Sequence, residues 1–347
     1  MSLIVDIRRD LGDFHLKVSF EAVNGITGLL GASGSGKSLT LKCIAGIERP
    51  DEGHIELNGR VLFDSRQKID LPPQKRSVGY LFQNYALFPN MTLRQNILCG
   101  LHREKDRQKK EKALKDLICM MHLEGLEDYR PHQLSGGQQQ RGALARILAS
   151  RPEVLLLDEP FSSLDAHLRD SLKIELRDLL LGYGKEVLMV THSRDEAYNM
   201  SSVVGVMDEG RLLAIKPTKK LFADPGSVAA ARITGCKNIA SARKVSAFEA
   251  EVPEWGIRLK TSKEIRDGLK AVGIRAHYFN AGAPYNRHRV TMTDEMEEPF
   301  ETIIRFRYEN QTQGSAPLWW RLGKDRRPAE FPEELGIAPA NVLLLYE

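Results

Sequence analysis

The chain has 347 residues, 42% hydrophobic and 28% charged, with a formal net charge of +4. This is the balance of a globular protein long enough for two domains, and so mild a positive charge does not call for nucleic acid as a partner. No apolar run approaches the roughly 18 residues that span a bilayer, and the start, MSLIVDIRRDLGD, lacks the long apolar core of a secretory signal, so the expected location is cytoplasmic.

The opening predicts a hairpin. Leu3, Val5 and Ile7 alternate with polar residues, Gly12-Asp13 turns, and Phe14, Leu16, Val18 and Phe20 alternate again. A strand ending at Leu30 follows, then a Gly-rich loop, then a helix with Leu39, Leu41, Ile44 and Ala45 on its inner side. Gly46 is suited to end that helix. A second hairpin is expected around Asn58-Gly59, a pair fitted to a type I′ turn. Residues from about 84 to 150 read as helical. Within them, HREKDRQKKEKALKDLICMMHL interleaves acids with bases, the mark of a solvated helix face rather than a nucleic-acid surface. Apolar strands return at Val154–Leu157, Val187–Val190 and Val203–Met207, which suit a parallel sheet covered on both faces. Near residue 235 the texture changes to short strands: 244–252, 256–260, 271–276, 288–292, 302–308, 318–322 and 341–346. These predict a separate small all-β domain. Cys43, Cys99, Cys119 and Cys236 form no C-x-x-C pair, so buried thiols are expected rather than disulfides or zinc.

Three stretches carry chemistry. The first is GASGSGKS, a match to G-x-x-x-x-G-K-[ST]. Gly31, Gly34 and Gly36 let the backbone bend tightly and come close to phosphates. The N–H groups of Ala32, Ser33, Ser35 and their neighbours, with the start of the next helix at Leu39, form an anion cradle. Lys37 is placed to reach the β- and γ-phosphates, and the Ser38 hydroxyl to bind Mg²⁺. The second is Val154-Leu-Leu-Leu-Asp158-Glu159-Pro160, an apolar strand ending in two carboxylates. Asp158 suits Mg²⁺, through water. Glu159 suits the orientation or deprotonation of an attacking water. The third is Leu134-Ser135-Gly136-Gly137-Gln138 at the start of a helix, a second phosphate-binding device in the same chain.

The order of these motifs resembles the nucleotide-binding subunit of ATP-binding-cassette transporters over roughly residues 1–235. Gln83 closing Gly79-Tyr-Leu-Phe-Gln83, the Ser163-Leu164-Asp165 turn and His192 in Val190-Thr-His complete the set. The resemblance implies an α/β P-loop NTPase with a helical subdomain at about 84–150, then a small all-β domain, OB-like or TOBE-like, at 236–347, regulatory or accessory in role. It implies ATP and Mg²⁺ as cofactors and two copies paired head to tail as a homodimer. In that pairing Ser135 and Gly137 contact the γ-phosphate of the partner's ATP, with Gly136 and Gln138 beside them. Gln83 contacts Mg²⁺ and water and reports to the membrane subunits. Asp165 couples the two sites, and His192 contacts the γ-phosphate. It also implies two transmembrane permease subunits, a peripheral position on the cytoplasmic membrane face, and an extracytoplasmic solute-binding protein acting indirectly. The adenine-stacking aromatic of the family has only Phe14 as a counterpart near residues 11–14.

About a hundred residues separate the first loop from LSGGQ, too few for the long helical arms of repair and chromosome cassettes. The segments Thr234-Gly-Cys-Lys-Asn-Ile239, Trp255-Gly-Ile-Arg-Leu, Val272-Gly-Ile-Arg-Ala-His277 and Leu57-Asn-Gly-Arg-Val-Leu-Phe-Asp64 look most like the molybdate/sulfate-type importer branch. The implied solute is molybdate or tungstate first, then sulfate or thiosulfate. The alternatives are a sugar, polyamine or iron importer, or an oxyanion-sensing regulatory ATPase.

Overall fold

In the computed structural model of the chain, residues 2–23, 25–162 and 166–346 are described. They fall into two compact units, Met1–Thr218 and Lys219–Glu347. The sequence places the boundary at 235/236. The stretch between the two positions groups with the second unit, where Ala231 is buried with Cys236, Leu343 and Leu345.

The first unit is built on one eleven-stranded sheet. Its strands are β1 (Ser2–Leu11), β2 (Phe14–Val23), β3 (Ile26–Gly31), β4 (Glu52–Leu57), β5 (Arg60–Asp64), β6 (Ile69–Asp70), β7 (Val78–Leu81), β8 (Val154–Asp158), β9 (Glu186–Thr191), β10 (Val203–Asp208) and β11 (Arg211–Pro217). The order is β6-β5-β4-β1-β2-β11-β10-β3-β9-β8-β7. From β10 to β7 all neighbours are parallel. Every residue of β3, β8 and β9 is buried, which explains their unbroken apolar reading: covered on both faces, a strand has no polar side to show. The antiparallel part keeps the alternation instead. Leu3, Val5 and Ile7 are buried, and Val5 pairs with Phe20 across the hairpin. Asn58 and Gly59 both have positive φ, 53° and 81°, as a type I′ turn requires.

Helices α1 (Lys37–Ala45), α2 (Leu93–Gly100), α3 (Arg107–Met120), α4 (Gly136–Ala149), α5 (Ala166–Tyr183) and α6 (Arg194–Met200) cover the sheet. Leu41 and Ile44 of α1 pack with Leu3, Leu29, Leu156 and Val190. Leu93, Ile97, Leu114, Ile118, Ala143 and Leu144 bury the inner faces of α2, α3 and α4 together with Leu155 and Leu157. The charged face of α3 is exposed, as the mixed charges predict, and Arg94 pairs with Glu111. The helical reading from residue 84 is corrected. The segment 84–92 is irregular, with Tyr85 at φ 58° and Ala86 at φ 47°. The buried Asn96 amide donates to the carbonyls of Phe88, Met91 and Thr92, holding the turn as a loop. Helix α2 then starts at a capping box between Thr92 and Gln95.

The second unit opens with helices α7 (Thr218–Ala223) and α8 (Val228–Ile233). Its strands are β12 (Asn238–Ser241), β13 (Arg243–Ser246), β14 (Glu249–Val252), β15 (Ile257–Lys260), β16 (Ala271–Ile274), β17 (His288–Glu297), β18 (Glu301–Tyr308), β19 (Leu318–Gly323), β20 (Glu334–Leu335) and β21 (Val342–Leu345). They form three small antiparallel sheets, β12-β16-β21, β13-β14-β15 and β19-β18-β17-β20. The single strand expected over 244–252 is a hairpin, because the ladder turns back between Ser246 and Glu249. The core gathers Val252, Trp255, Leu259, Val272, Ile274, Phe306, Trp320 and Leu344.

Asn238, 4% exposed, ties two of these sheets. Its amide donates to the carbonyls of Ile274 at 3.0 Å and Trp319 at 2.9 Å, and its own carbonyl accepts from Trp319 N–H at 2.7 Å. Asn238→Ala is expected to lower the stability of this unit by about 1–3 kcal/mol, the cost of buried groups left without partners. Denaturant unfolding followed by circular dichroism measures it. A change below about 0.5 kcal/mol, the scale of an ordinary surface substitution, would show the clasp to be dispensable.

Candidate functional site

Strand β3 delivers the chain into the loop from Ala32 to Gly36, and α1 begins at Lys37. Two features require glycine here. A Cβ at Gly31 would lie 2.3 Å from the Met207 carbonyl oxygen, and Gly36 sits at φ 97° as the residue before the helix. Ala32, Ser33 and Gly34 are exposed, while Ser35 is buried. The Lys37 side chain folds back over the loop and is 4% exposed. Its ammonium donates to the carbonyls of Gly31 at 2.9 Å and Ala32 at 2.8 Å. Burial lowers its pKa, and the charges of Glu159 and Asp158 oppose that shift. Leu39 is half-buried against the α1 core, and so is Phe14. The Phe14 ring tip lies 3.1 Å from where a Gly36 Cβ would stand, so the aromatic flanks the loop.

Strand β8 carries the carboxylates to the same end of the sheet. Asp158, 8% exposed, accepts from the Ser38 hydroxyl at 2.7 Å on Oδ1 and from the Tyr80 hydroxyl at 2.8 Å on Oδ2. Burial raises the Tyr80 phenol pKa first, and the Asp158 charge adds to it, so this hydroxyl stays a donor. Glu159 adopts φ 45°, an uncommon conformation for a residue with a side chain, and all the more so before a proline. Three hydrogen bonds hold it there. Its N–H donates to Val190 O at 3.1 Å, and its carbonyl accepts from Ser162 N–H at 3.1 Å and from the Ser162 hydroxyl at 2.9 Å. The Glu159 carboxylate then lies 3.1 Å from His192 Nδ1, just past the end of β9.

Ser38 and Asp158 offer oxygen donors only. Among the described residues no group of three or more His, Cys, Asp or Glu side chains could hold a metal by itself. The donor set therefore fits Mg²⁺, which takes one or two protein oxygens and completes its shell with phosphates and water. Gln83 lies two residues past β7, exposed.

The LSGGQ stretch opens α4. The Ser135 hydroxyl accepts from Gln138 N–H at 3.3 Å, and the Gln138 side chain accepts from Ser135 N–H at 2.8 Å. Ser135 is exposed at the head of this helix, and Gly136 is its first residue. A Cβ at Gly137 would meet Leu172 of α5 at 2.8 Å, so this glycine also admits a neighbouring helix. Asp165 lies outside the described residues. Two residues that sequence reasoning missed complete the arrangement. One is Tyr80. The other is Arg76, fully buried, whose guanidinium donates to Cys43 O at 2.8 Å and Ile44 O at 2.9 Å in the last turn of α1. No local pattern marks either, since Asp158 lies 78 positions from Tyr80, and Cys43 and Ile44 lie 33 and 32 from Arg76.

The ABC transporter family matches residues 16–162. The chain is 40% identical over 224 residues to the molybdenum import ATP-binding protein ModC of Paramagnetospirillum magneticum, covering 65% of this chain and 61% of that protein's length. It is 39% identical to the spermidine/putrescine import ATP-binding protein PotA of Oleidesulfovibrio alaskensis, over 73% of this chain and 69% of that one. It is 41% identical to the probable sulfate/thiosulfate import ATP-binding protein CysA of Chlorella vulgaris, over 68% of this chain and 99% of that one. Among solved structures, a dimeric ATP-binding cassette in a post-hydrolysis state, bound to ADP and phosphate, superposes with a TM-score of 0.53 at 25% identity, over 63% of this chain and 99% of that one. By fold, by motif order and by these relatives, the chain belongs to the ATP-binding-cassette transporter family of ATP-binding proteins.

Proposed function

We propose that the chain is the ATP-hydrolysing subunit of an importer whose solute is an oxyanion, molybdate or tungstate before sulfate or thiosulfate. The observation that carries the ATPase reading is the convergence of Lys37, the Ser38–Asp158 pair and the Glu159–His192 pair at one end of the parallel sheet. Each has a task in phosphoryl transfer to water. The loop amides and Lys37 hold the β- and γ-phosphates and offset their charge. Ser38 and Asp158 would hold Mg²⁺, and Gln83 would contact it and its water; when bound, this ion would neutralise charge on the phosphate oxygens. Glu159 takes the proton of the water attacking the γ-phosphorus in line. His192 orients Glu159 and reaches toward the γ-phosphate.

The dimeric cassette supports a pairing of two copies; in the head-to-tail arrangement proposed here, Ser135 and Gly137 complete the partner's site. The exposed Phe82, Phe88 and Met91 beside Gln83 offer apolar surface to a permease subunit. Among the described residues no helix is long and apolar enough to cross a membrane, so the channel belongs to other subunits in this reading. An external binding protein would deliver the solute to them. The molybdenum and sulfate/thiosulfate relatives support the oxyanion, and the polyamine relative at similar identity favours a polyamine as the second reading.

The test is uptake by cells lacking the chain. Labelled molybdate uptake should be lost, restored by the parent chain and not restored by Lys37→Ala. The purified Lys37→Ala chain should bind ATP at least roughly tenfold more weakly, the worth of one hydrogen bond to a charged group. Full rescue by Lys37→Ala would overturn the ATPase assignment. Loss of polyamine uptake with molybdate uptake intact would move the solute to the second reading.

A further inference from the structure

Asp158 is held on both of its oxygens, and only one of the two holders belongs to the phosphate loop. In the parallel pairing of β7 with β8, Tyr80 stands opposite Leu156, two residues before Asp158. Side chains two apart on a strand share a face, so Tyr80, Leu156 and Asp158 line the face that α1 covers. Leu156 packs there with Leu41 and Ile44 of α1, and the Tyr80 ring, half-buried, packs against the same cluster. Ser38 reaches Oδ1 from the head of α1 at 2.7 Å, and Tyr80 reaches Oδ2 from β7 at 2.8 Å. A carboxylate with one donor is free to rotate about its Cβ–Cγ bond. With a donor on each oxygen, from two different elements, its plane is fixed. At 8% exposure, water has little access to replace either donor.

We propose that Tyr80 is a positioning residue for the divalent-cation site: its hydroxyl engages Asp158 Oδ2 and so keeps Oδ1 paired with the Ser38 hydroxyl at the head of α1. This deepens the ATPase reading and rests on it. The Tyr80 ring also lies 4.4 Å from the Phe82 ring, one residue before Gln83. The residue that sets the carboxylate therefore touches the segment expected to meet a membrane subunit.

Tyr80→Phe isolates the hydroxyl, because the ring keeps its place among the core side chains and beside Phe82. The probe is Mn²⁺ titrated into the full chain with a non-hydrolysable ATP analogue, with free Mn²⁺ read by electron paramagnetic resonance. Loss of a partner that orients a metal ligand costs about 10–100-fold in metal affinity or activity. The variant should therefore bind Mn²⁺ about tenfold more weakly or worse, while binding the same nucleotide in EDTA as the parent does. In steady state the Mg²⁺ concentration for half-maximal hydrolysis should rise by the same factor, with a smaller loss in kcat at saturating Mg²⁺. A merely structural role would instead lower the melting temperature and weaken metal-free nucleotide binding as well. In an Asp158→Asn background the added Tyr80→Phe change should have no further effect on Mn²⁺. Mn²⁺ affinity within about twofold of the parent, well short of the expected loss, overturns the role of Tyr80 and leaves the ATPase reading standing. A parent chain that binds neither nucleotide nor Mn²⁺ sinks both.

Discussion

Glu159→Gln is expected to lower ATP turnover by about 10²–10⁴, the usual worth of a positioned general base, and to leave ATP binding intact. The argument starts with the backbone. Glu159 holds φ 45° ahead of Pro160, a conformation that costs on the order of 1–3 kcal/mol and survives only where the surroundings enforce it. Val190 and Ser162 enforce it from either side. The result is a carboxylate carried past the end of β8 and set 3.1 Å from His192 Nδ1. Glutamine preserves that shape and can still meet the imidazole, but its amide cannot take up a proton. In the proposed site nucleotide binding rests on the loop amides, Lys37 and Ser38, whose hydrogen bonds the substitution leaves in place although it removes one charge near Lys37. Single-turnover hydrolysis with protein in excess separates chemistry from product release. A single-turnover rate within about tenfold of the parent would remove Glu159 from the base's role.

The features legible in the sequence are those whose cause is local. Strand β3, its glycine loop and α1 follow one another without interruption, so apolar run, turn and helix period could each be read in place. The same holds for β8 with its terminal carboxylates and for the hairpin at Asn58-Gly59. What escaped reading depends on partners brought from elsewhere. Tyr80 looks like any half-buried strand residue until β7 is laid beside β8, because its partner stands 78 positions later. The segment 84–92 carries Pro89-Asn90, a local turn signal, and the side chain of Asn96, further along, helps to hold it as a loop. The break between β13 and β14 carries no Asn-Gly or Pro-Gly signal, only Ala247-Phe248 within an otherwise strand-like run. In sequence the glycine pair of LSGGQ speaks for phosphate alone. The structure adds that Gly137 faces Leu172 of α5, a packing demand that no short motif records.

Arg76→Met should destabilise the nucleotide-binding unit by roughly 3–5 kcal/mol, a large share of the 5–15 kcal/mol that holds a typical domain folded. In sequence Arg76 follows Leu-Pro-Pro-Gln-Lys, and in the fold it is 0% exposed. Its guanidinium serves four acceptors: Cys43 O, Ile44 O, Leu71 O at 2.6 Å and Asp70 Oδ1 at 2.9 Å. The first two are carbonyls of the last turn of α1, beyond the reach of the helix's own i+4 donors; Cys43 O also accepts the Gly46 N–H at 3.2 Å, so Ile44 O is the one that depends most on the guanidinium. Hydrogen bonds to charged groups are each worth about 1.5–3 kcal/mol, and a buried carbonyl left alone costs about 1–3. Gly46 shows how closely the site is fitted, since a Cβ there would lie 2.5 Å from Arg76 Nε. Methionine fills much of the volume and supplies no donor, whereas Arg76→Lys retains a cation that cannot reach four acceptors at once and should fall between. Because the proposed phosphate cradle lies at the other end of α1, a loosened last turn should weaken ATP binding as well. Saturating nucleotide should in turn restore part of the lost stability, about 2.7 kcal/mol at a hundred times Kd. Denaturant unfolding with and without nucleotide measures both effects. A loss below about 1 kcal/mol for Arg76→Met would mean that water replaces the guanidinium at the end of α1 without penalty.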